Sequence, residues 1–290
     1  MLSADLLSNA VVAGILLGGF YAAVAIGLAI VFGQLDIVNI AHPAFIIVGA
    51  YIAHFANSYF GLDPVLAGVA AAPAFFLSGA LIYRVYFIAF ERTGQESLSG
   101  LAFFFGVMFI IEVSLIMIYG VDYRFVQAPY IGQTWSIGFV DLPLRMLVPC
   151  AVSVALTTAI WLYLSRTFMG RAIQAVAQDR IALQLMGADP VRIKQWAFGL
   201  GIATTAVAGS MLIIIGPVEP SVGRLYIGRA FAIVVLGGMG SIRGTFVAAL
   251  ILGVVESLVT IFLGPSWSPA VAFGVLALTL ALRPEGLFRR

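Results

Sequence analysis

The sequence predicts an all-α, polytopic membrane protein on two observations of its composition and pattern. Hydrophobic residues make up 62% of the 290-residue chain and charged residues only 10%, at a mean hydropathy of +1.09. Soluble domains carry about 25% charged residues, so this chain cannot cover a globule with polar surface. Apolar runs of the length that crosses a bilayer recur from end to end. We predict a single transmembrane domain over 1–290.

Eight full transmembrane helices are predicted, each from an apolar run near the required length of roughly 20 residues. They cover 9–33, 41–60, 64–84, 98–119, 144–165, 195–217, 244–263 and 267–282. The run 228–240 is too short to cross alone, and it contains or precedes the glycines Gly237, Gly238, Gly240 and Gly244. We interpret it as a broken or re-entrant half helix, which is tolerable only if its backbone is buried in protein.

Basic residues are distributed unequally between the loops, and this sets the predicted orientation. Arg84, the segments 85–97 and 166–194 and the C-terminus hold ten of them, whereas the opposite side holds two, Arg124 and Arg224. Because basic loops stay in the cytoplasm, we predict that the C-terminus lies inside and the N-terminus outside. The first apolar run has no basic region before it, and we expect it to be a retained span.

The cytoplasmic segment 166–194 contains the signals of a short helix fixed between two breaks. Its five basic and two acidic residues give a net charge of +3, which exceeds the +2 of the whole chain. Asp179 is a suitable N-cap for a helix over Arg180–Met186, and Gly187 is suited to the left-handed conformation that ends a helix. The Asp-Pro dipeptide that follows is typical of the start of the next helix.

Ala182, Leu185 and Met186 give this short helix an apolar face. A seven-residue helix is not stable alone in water, so it must rest on something. One interpretation is an amphipathic turn against the protein's own membrane surface. The other is a docking element for a cytoplasmic partner that pushes on the membrane helices.

The stretch "RIALQLMG", Arg180–Gly187, resembles the E-A-A-x-x-x-G element of ABC importer permeases, which forms the coupling helix seated in the ATPase subunit. Ala182 and Gly187 match that element, whereas Ile181 stands at the glutamate position and Leu183 at the second alanine. The resemblance therefore implies docking without a salt bridge from a glutamate at this position.

Further stretches resemble the branched-chain amino acid permease branch of the same superfamily. They are "GGFYAAVAIGLAIVFGQLDIVNIAHPAFIIVGAY" (18–51), "GRAIQAVAQD" (170–179), "VLGGMGSIRGTFVAALILGVVES" (235–257) and the terminal "RPEGLF". The family commonly has N-x-A-H-G-x-F in the first stretch. Asn39, Ala41, His42 and Phe45 match it, and Pro43 replaces the glycine.

The resemblance implies the multi-pass membrane subunit of an ATP-driven importer in the bacterial inner membrane. The cargo it implies is branched-chain amino acids, or alternatively urea, amides, or aromatic or other carboxylates. It implies four kinds of partner: a homologous second permease, two ATP-binding subunits that hold ATP and magnesium, an extracytoplasmic substrate-binding protein, and the lipid bilayer. The coupling residues it implies are Asp179, Arg180, Ala182, Leu185, Met186 and Gly187.

The sequence itself argues that this chain does not hydrolyse ATP. It has no G-x-x-x-x-G-K-[ST] phosphate-binding loop, and its one lysine, Lys194, lies between Ile193 and Gln195. The motifs H-E-x-x-H and G-x-S-x-G are absent, and one cysteine excludes a cysteine-based metal site. We predict a transport subunit that is not an enzyme, with no cofactor, no metal and no nucleic-acid partner.

Charged residues inside spans are costly and mark candidate positions on the translocation path. Glu112 and Glu256 lie within predicted spans, and we expect both to face the bundle interior. One interpretation is a structural carboxylate paired with Arg229, Arg243 or a polar side chain. The other is a secondary transporter or channel driven by an ion gradient through both carboxylates.

Asp36, Asn39 and His42 cluster between the first two spans. Asn39 and His42 are three residues apart and are predicted to share a helix face. Pro43 is predicted to remove a backbone hydrogen bond or to start the second helix. We interpret the cluster as a gate, or as an anchor for an unwound segment. The alternative is a capped helix start with a satisfied histidine.

Overall fold

The computed structural model describes residues 4–94, 97–138, 140–283 and 285–288, and they are mostly α-helical. The helices are α1 (Ala4–Leu35), α2 (His42–Phe60), α3 (Pro64–Ala89), α4 (Ser97–Tyr119), α5 (Leu144–Arg166), α6 (Phe168–Val176), α7 (Arg180–Leu185), α8 (Pro190–Ile215), α9 (Arg224–Gly237), α10 (Ile242–Leu263) and α11 (Ser268–Leu282). Three short 3-10 turns cover Glu91–Thr93, Pro220–Gly223 and Pro265–Trp267.

Eight helical segments in the described part of the chain are long and apolar enough to cross a membrane, as predicted. They cover 6–35, 64–89, 98–119, 144–166, 190–215, 220–237, 242–263 and 265–282. Two assignments differ from the predicted set. The predicted span 41–60 is a helix, α2, but it is not among the eight, because polar residues such as His54 and Asn57 reduce its hydropathy. The predicted half helix is longer than expected, because the 3-10 turn Pro220–Gly223 extends α9.

Helices α1 and α8 lie at the centre of the bundle. In each of them 83% of the most apolar stretch is buried within the protein, against 11% to 28% in α3, α4, α5, α10 and α11. The outer helices expose large apolar side chains, among them Leu77, Phe109 and Leu278. This is the distribution expected of a bundle with a protein core and a surface for lipid.

Glycines let the central helices approach their neighbours backbone to backbone. A Cβ atom on Gly253 of α10 would lie 2.5 Å from the carbonyl oxygen of Gly14 and 2.5 Å from Cα of Gly18, both in α1. On the other central helix, Gly209 of α8 packs against the backbone of α2 at Ile46 and Ala50. Small residues at such contacts are typical of membrane helix pairs.

The glycine cluster forms the break between α9 and α10. Gly238 and Gly240 have φ angles of 89° and 81°, and the side chain of Ser241 caps α10 by accepting from the Gly244 amide at 3.1 Å. All four cluster glycines, 237, 238, 240 and 244, are buried. The amide of Leu287 donates to the carbonyl of Leu236 at 2.8 Å, so the C-terminal segment covers the break. The expectation that this interrupted backbone is buried in protein is confirmed.

Loop contacts define the two ends of the bundle. At one end the antiparallel strands β1 (Thr134–Ile137) and β2 (Val140–Pro143) form a hairpin, which the sequence analysis did not predict. Asn9 accepts from the amide of Asp141 there, and Arg124 forms a β-bridge with Val218. At the other end Gln34 donates to the carbonyl of Gly240 at 2.8 Å. The N-terminal part of α1 and the loops after α4 and α8 therefore lie at one end, opposite the glycine break, α7 and the C-terminal residues.

We expect Gly253→Ala to destabilise the protein by about 1–3 kcal/mol, because the new methyl group would overlap the backbone of α1. Thermal unfolding in detergent measures the effect. Gly106→Ala in α4 is the matched control, since a Cβ there would meet nothing within 4 Å. Equal unfolding temperatures for the two variants would contradict the close α1–α10 contact.

Candidate functional site

The short helix α7 has the capping expected from its sequence. Oδ1 of Asp179 accepts from the amides of Ile181 and Ala182 at 2.8 and 3.0 Å. The helix ends at Leu185, one residue earlier than predicted, and Gly187 follows with a φ of 80°. Ala188 and the N-cap residue Asp189 then lead into α8, which begins at Pro190. Both breaks are therefore built from local hydrogen bonds and one left-handed glycine.

Helix α7 and the residue that follows it expose several apolar side chains. Ile181 is 70% exposed, Leu185 84% and Met186 76%, and Ala182 is exposed beside them. Only Leu183 turns inwards, at 5% exposure. The sequence analysis identified this face but did not include Ile181 in it.

A cavity of about 700 Å³ lies beside α7, between α6 and α8. Its lining is largely apolar and includes Phe168, Met169, Ala172, Leu183 and Ile193. Because Leu183 is one wall of this space, α7 is packed against the membrane helices on one part of its surface only.

The break between α1 and α2 differs from the prediction in one respect. Asn39 lies in the non-helical segment 36–41 and so does not share a helix face with His42, the first residue of α2. Oδ1 of Asn39 accepts from the amide of Ala41 at 3.0 Å, a local turn that competes with helix. Pro43 lies in the first turn of α2, where its missing amide hydrogen leaves no helical hydrogen bond unmade.

This break lies deep between the helices rather than at their end. Nε2 of His42 is 3.1 Å from the carbonyl oxygen of Val24, which is eleven residues before the end of α1, or roughly 16 Å along its axis. Asn39 and His42 are fully buried, and Asn39 Nδ2 and His42 Nδ1 have no hydrogen-bond partner among the described residues. Asp36, by contrast, is exposed and has a left-handed φ of 56°.

Glu112 is paired with an arginine that the sequence analysis had not considered for it. Nε and Nη2 of Arg224 donate to its two carboxylate oxygens at 2.9 and 2.7 Å. Glu112 is 6% exposed, whereas the Arg224 side chain is 56% exposed. The pair joins the middle of α4 to the first residue of α9.

Glu256 is paired with Arg229, one of its predicted partners. It accepts from Nε of Arg229 at 3.0 Å and from the Tyr21 hydroxyl at 2.5 Å. Nη2 of Arg229 also donates to Ser268, and its guanidinium lies over the rings of Tyr21 and Tyr226. This cluster joins α1, α9, α10 and the start of α11, and the Arg229 guanidinium balances the charge of the buried Glu256.

The two carboxylates are thus not brought together into one site. Arg224 and Arg229 lie five residues apart on α9, which places them about 140° apart around that helix. Each ion pair anchors α9 to a different neighbour. Among the described residues no group of three His, Cys, Asp or Glu side chains is placed to hold a metal ion.

We expect Glu256→Gln to cost about 3–5 kcal/mol of stability, because Arg229 would keep a buried charge without its counter-ion. The double variant Glu256→Gln, Arg229→Gln should recover much of this loss. Glu112→Gln should cost less, since Arg224 is more than half exposed. Thermal unfolding in detergent ranks the three variants, and a greater loss for Glu112→Gln would contradict this account.

Comparison with known proteins places the chain in a family. The family described as "Branched-chain amino acid transport system / permease component" matches residues 10–280. The permease BraD of Pseudomonas aeruginosa is 30% identical over 96% of this chain and 94% of its own length. LivH of Salmonella typhimurium is likewise 30% identical, and LivM of Escherichia coli is 28% identical over 92% of this chain and 67% of its own.

A solved structure shows a similar fold. The PsaBC complex of Streptococcus pneumoniae, determined with a Fab, matches at a TM-score of 0.50 over 98% of this chain and 93% of that one, with 14% identity. The polytopic helical fold of the structure agrees with the family match, which covers nearly the whole chain. The chain belongs to the family of permease components of branched-chain amino acid transport systems.

Proposed function

We propose that this chain is the membrane-spanning subunit of an ATP-driven importer of branched-chain amino acids, moved by a separate ATPase that docks on α7. The relatives BraD and LivH carry the name of high-affinity branched-chain amino acid permeases, which supports the cargo. The observation that carries the docking is α7 itself, a helix capped at both ends that exposes three large apolar side chains. A helix of six residues with such a surface requires a partner.

The chemistry around α7 indicates what that partner offers. Its apolar side chains lie in a segment that also exposes Arg166, Arg171, Arg180 and Arg192. The matching surface on the ATPase would be an apolar groove with acidic residues at its rim. The two ATPase subunits would hold ATP and magnesium, since this chain has no phosphate-binding loop.

The remaining partners follow from the same class of importer. We propose a homologous second permease and an extracytoplasmic binding protein that delivers the cargo. The similarity to both LivH and LivM supports a pair of related permeases. The excess of basic residues at the end that carries α7 supports a cytoplasmic location for that end, in a bacterial inner membrane with the N-terminus outside.

The polar break between α1 and α2 is our candidate for a position on the translocation path. Asn39 and His42 present one unpartnered polar nitrogen each, deep between the central helices, and Asp36 lies at the exposed entrance of this segment. Buried polar groups without partners are costly, so a role other than packing accounts for them. Glu112 and Glu256, in contrast, are held in ion pairs, which disfavours a mechanism driven by an ion gradient through these two groups.

We expect Leu185→Asp and Gly187→Pro to abolish uptake while the protein still inserts, because the first puts a charge on the docking face and the second cannot adopt a φ of 80°. Leucine uptake and membrane content are measured in the same cells. Leu98→Asp is the control, an equally exposed leucine at the same end of the bundle but outside α7. Full uptake with Leu185→Asp would refute docking through this face and favour contact with the membrane surface.

Reconstitution tests the source of energy. The purified chain in vesicles should not concentrate leucine, whereas the complex with ATPase, second permease and binding protein should do so when ATP is present. An uncoupler should leave this uptake unchanged while ATP stays high. Accumulation by the chain alone, or collapse with the uncoupler, would support the gradient-driven alternative.

A further inference from the structure

A buried charged cluster lies at the end of the bundle that carries α7, around a carboxylate that has no role in the account above. Its centre is Glu91, in the 3-10 turn that follows α3. Oε1 of Glu91 accepts from Nζ of Lys194, in α8, at 2.5 Å, and Oε2 accepts from the hydroxyl of Tyr83, in α3, at 2.8 Å. Nη1 of Arg180, the first residue of α7, is 3.5 Å from Oε1. One carboxylate therefore joins three helices.

Burial makes this cluster stiff. The side chain of Glu91 is 7% exposed and that of Lys194 is 3% exposed, and Tyr83 is completely buried. Removing one partner of such a pair leaves an uncompensated buried charge, so the three groups do not separate without large cost. A well-packed apolar pair would nonetheless give similar stability. Stability alone therefore does not explain why these residues are charged. The cluster also connects α7 to α3 and α8, and this connection suggests a further role.

The cluster supplies α7 with its second attachment to the membrane helices. The first is apolar, through the buried Leu183, and it borders the open cavity beside α7. An apolar contact of this kind permits sliding, because it has no directional bond. The second contact is ionic: Nη1 of Arg180, whose side chain is 45% exposed, lies 3.5 Å from Oε1 of Glu91, and the same oxygen accepts from Nζ of Lys194.

Helices α3 and α8, which Glu91 contacts, pack against each other, and α8 is a central helix of the bundle. Lys194 lies one turn into α8, which is a central helix of the bundle. Nε2 of Gln195 donates to the carbonyl of Ala80 at 3.1 Å, and the rings of Trp196 and Phe76 lie 4.8 Å apart, so α3 and α8 are joined over consecutive residues. A displacement of Glu91 would thus be shared by α3 and α8.

We propose that Glu91 is a positioning residue that transmits the movement of α7 to α3 and α8, with Lys194 and Arg180 as its two ionic contacts. This inference rests on the proposed function, since it assumes that an ATPase moves α7. Without Glu91, α7 still binds the ATPase, but its motion no longer reaches the central helices.

The experiment uses the reconstituted complex of permeases, ATPase and binding protein. It measures co-purification of the ATPase, the rate of ATP hydrolysis, and leucine transported per ATP hydrolysed. For Glu91→Gln we expect normal co-purification and continued hydrolysis, with transport per ATP reduced about tenfold, within the range typical of coupling between sites. Arg243→Gln is the control, because Arg243 lies over the Trp161 ring in another part of the bundle and has no contact with α7 among the described residues. It should leave transport per ATP unchanged.

Charge exchange separates transmission from simple stabilisation. The double variant Glu91→Lys, Lys194→Glu keeps the pair between the turn and α8 but places a lysine opposite Arg180, so it should fold and remain uncoupled. Adding Arg180→Glu restores attraction at that point and should recover most of the transport per ATP. The apolar pair Glu91→Met, Lys194→Met should be stable and uncoupled.

Three results would overturn the proposal. One is unchanged transport per ATP in Glu91→Gln. Another is full coupling in the stable Met pair. The third is loss of ATPase binding in Glu91→Gln, which would make the residue part of the docking surface itself. Failure of the proposed function has a different signature, because the wild-type chain would then not co-purify with the ATPase.

Discussion

Contact between helix backbones at glycine residues is the interaction on which the arrangement of this bundle depends. Lipid chains are as apolar as leucine, so burying apolar side chains contributes little to helix association within a bilayer. Close van der Waals packing between helices has to supply the driving force. Helix α1 meets α10 through Gly14, Gly18 and Gly253, and α8 meets α2 through Gly209. These contacts fix the two central helices, and the interrupted segments then pack against a frame that is already in place.

Polar anchoring complements this packing where a helix is short. Helix α9 has 14 residues and ends in a glycine break, so it has less apolar surface with which to hold its place. Arg224 and Arg229 tie it to α4 on one side and to α1, α10 and α11 on the other. A charge within a bilayer is costly, and each arginine reduces that cost by pairing with a carboxylate. Because separating a pair would restore the cost, the two ion pairs hold α9 in position.

The parts of the structure that depend on neighbouring residues were predictable from the sequence. Asp179 and Gly187 specify the limits of α7 through hydrogen bonds and backbone angles within a few positions, and the apolar runs specify the spans. The contacts that join distant segments were not predictable. Glu112 and Arg224 are 112 positions apart, and Tyr21 and Glu256 are 235 apart, and no local pattern selects one arginine or tyrosine over another.

Local patterns also failed where two of them competed. The spacing of Asn39 and His42 is that of a helix face, but the side chain of Asn39 accepts from the backbone amide of Ala41, and this local turn takes the place of a helical turn. Polar residues also lower the hydropathy of α2, even where another helix rather than lipid surrounds the side chain. His42 is an example, because it is fully buried against α1.

Helix α7 is held differently at its two ends, and this bears on the role that we propose for it. At its C-terminal end the chain passes through the left-handed Gly187, and a glycine connection of this kind permits rotation, so a push on α7 could simply turn it about that point. Arg180 lies at the opposite end, seven residues before Gly187 and about 10 Å from it at the rise of an α-helix, and its contact with Glu91 resists that rotation. If an ATPase pushes on α7 as we propose, these contacts would carry the displacement to α8, because Glu91 also binds Lys194 in that helix. Without the ion pair, α7 would be held to the membrane helices by its covalent connections and the buried Leu183 alone, and the contact with Glu91 adds a link to Lys194 in the central helix α8.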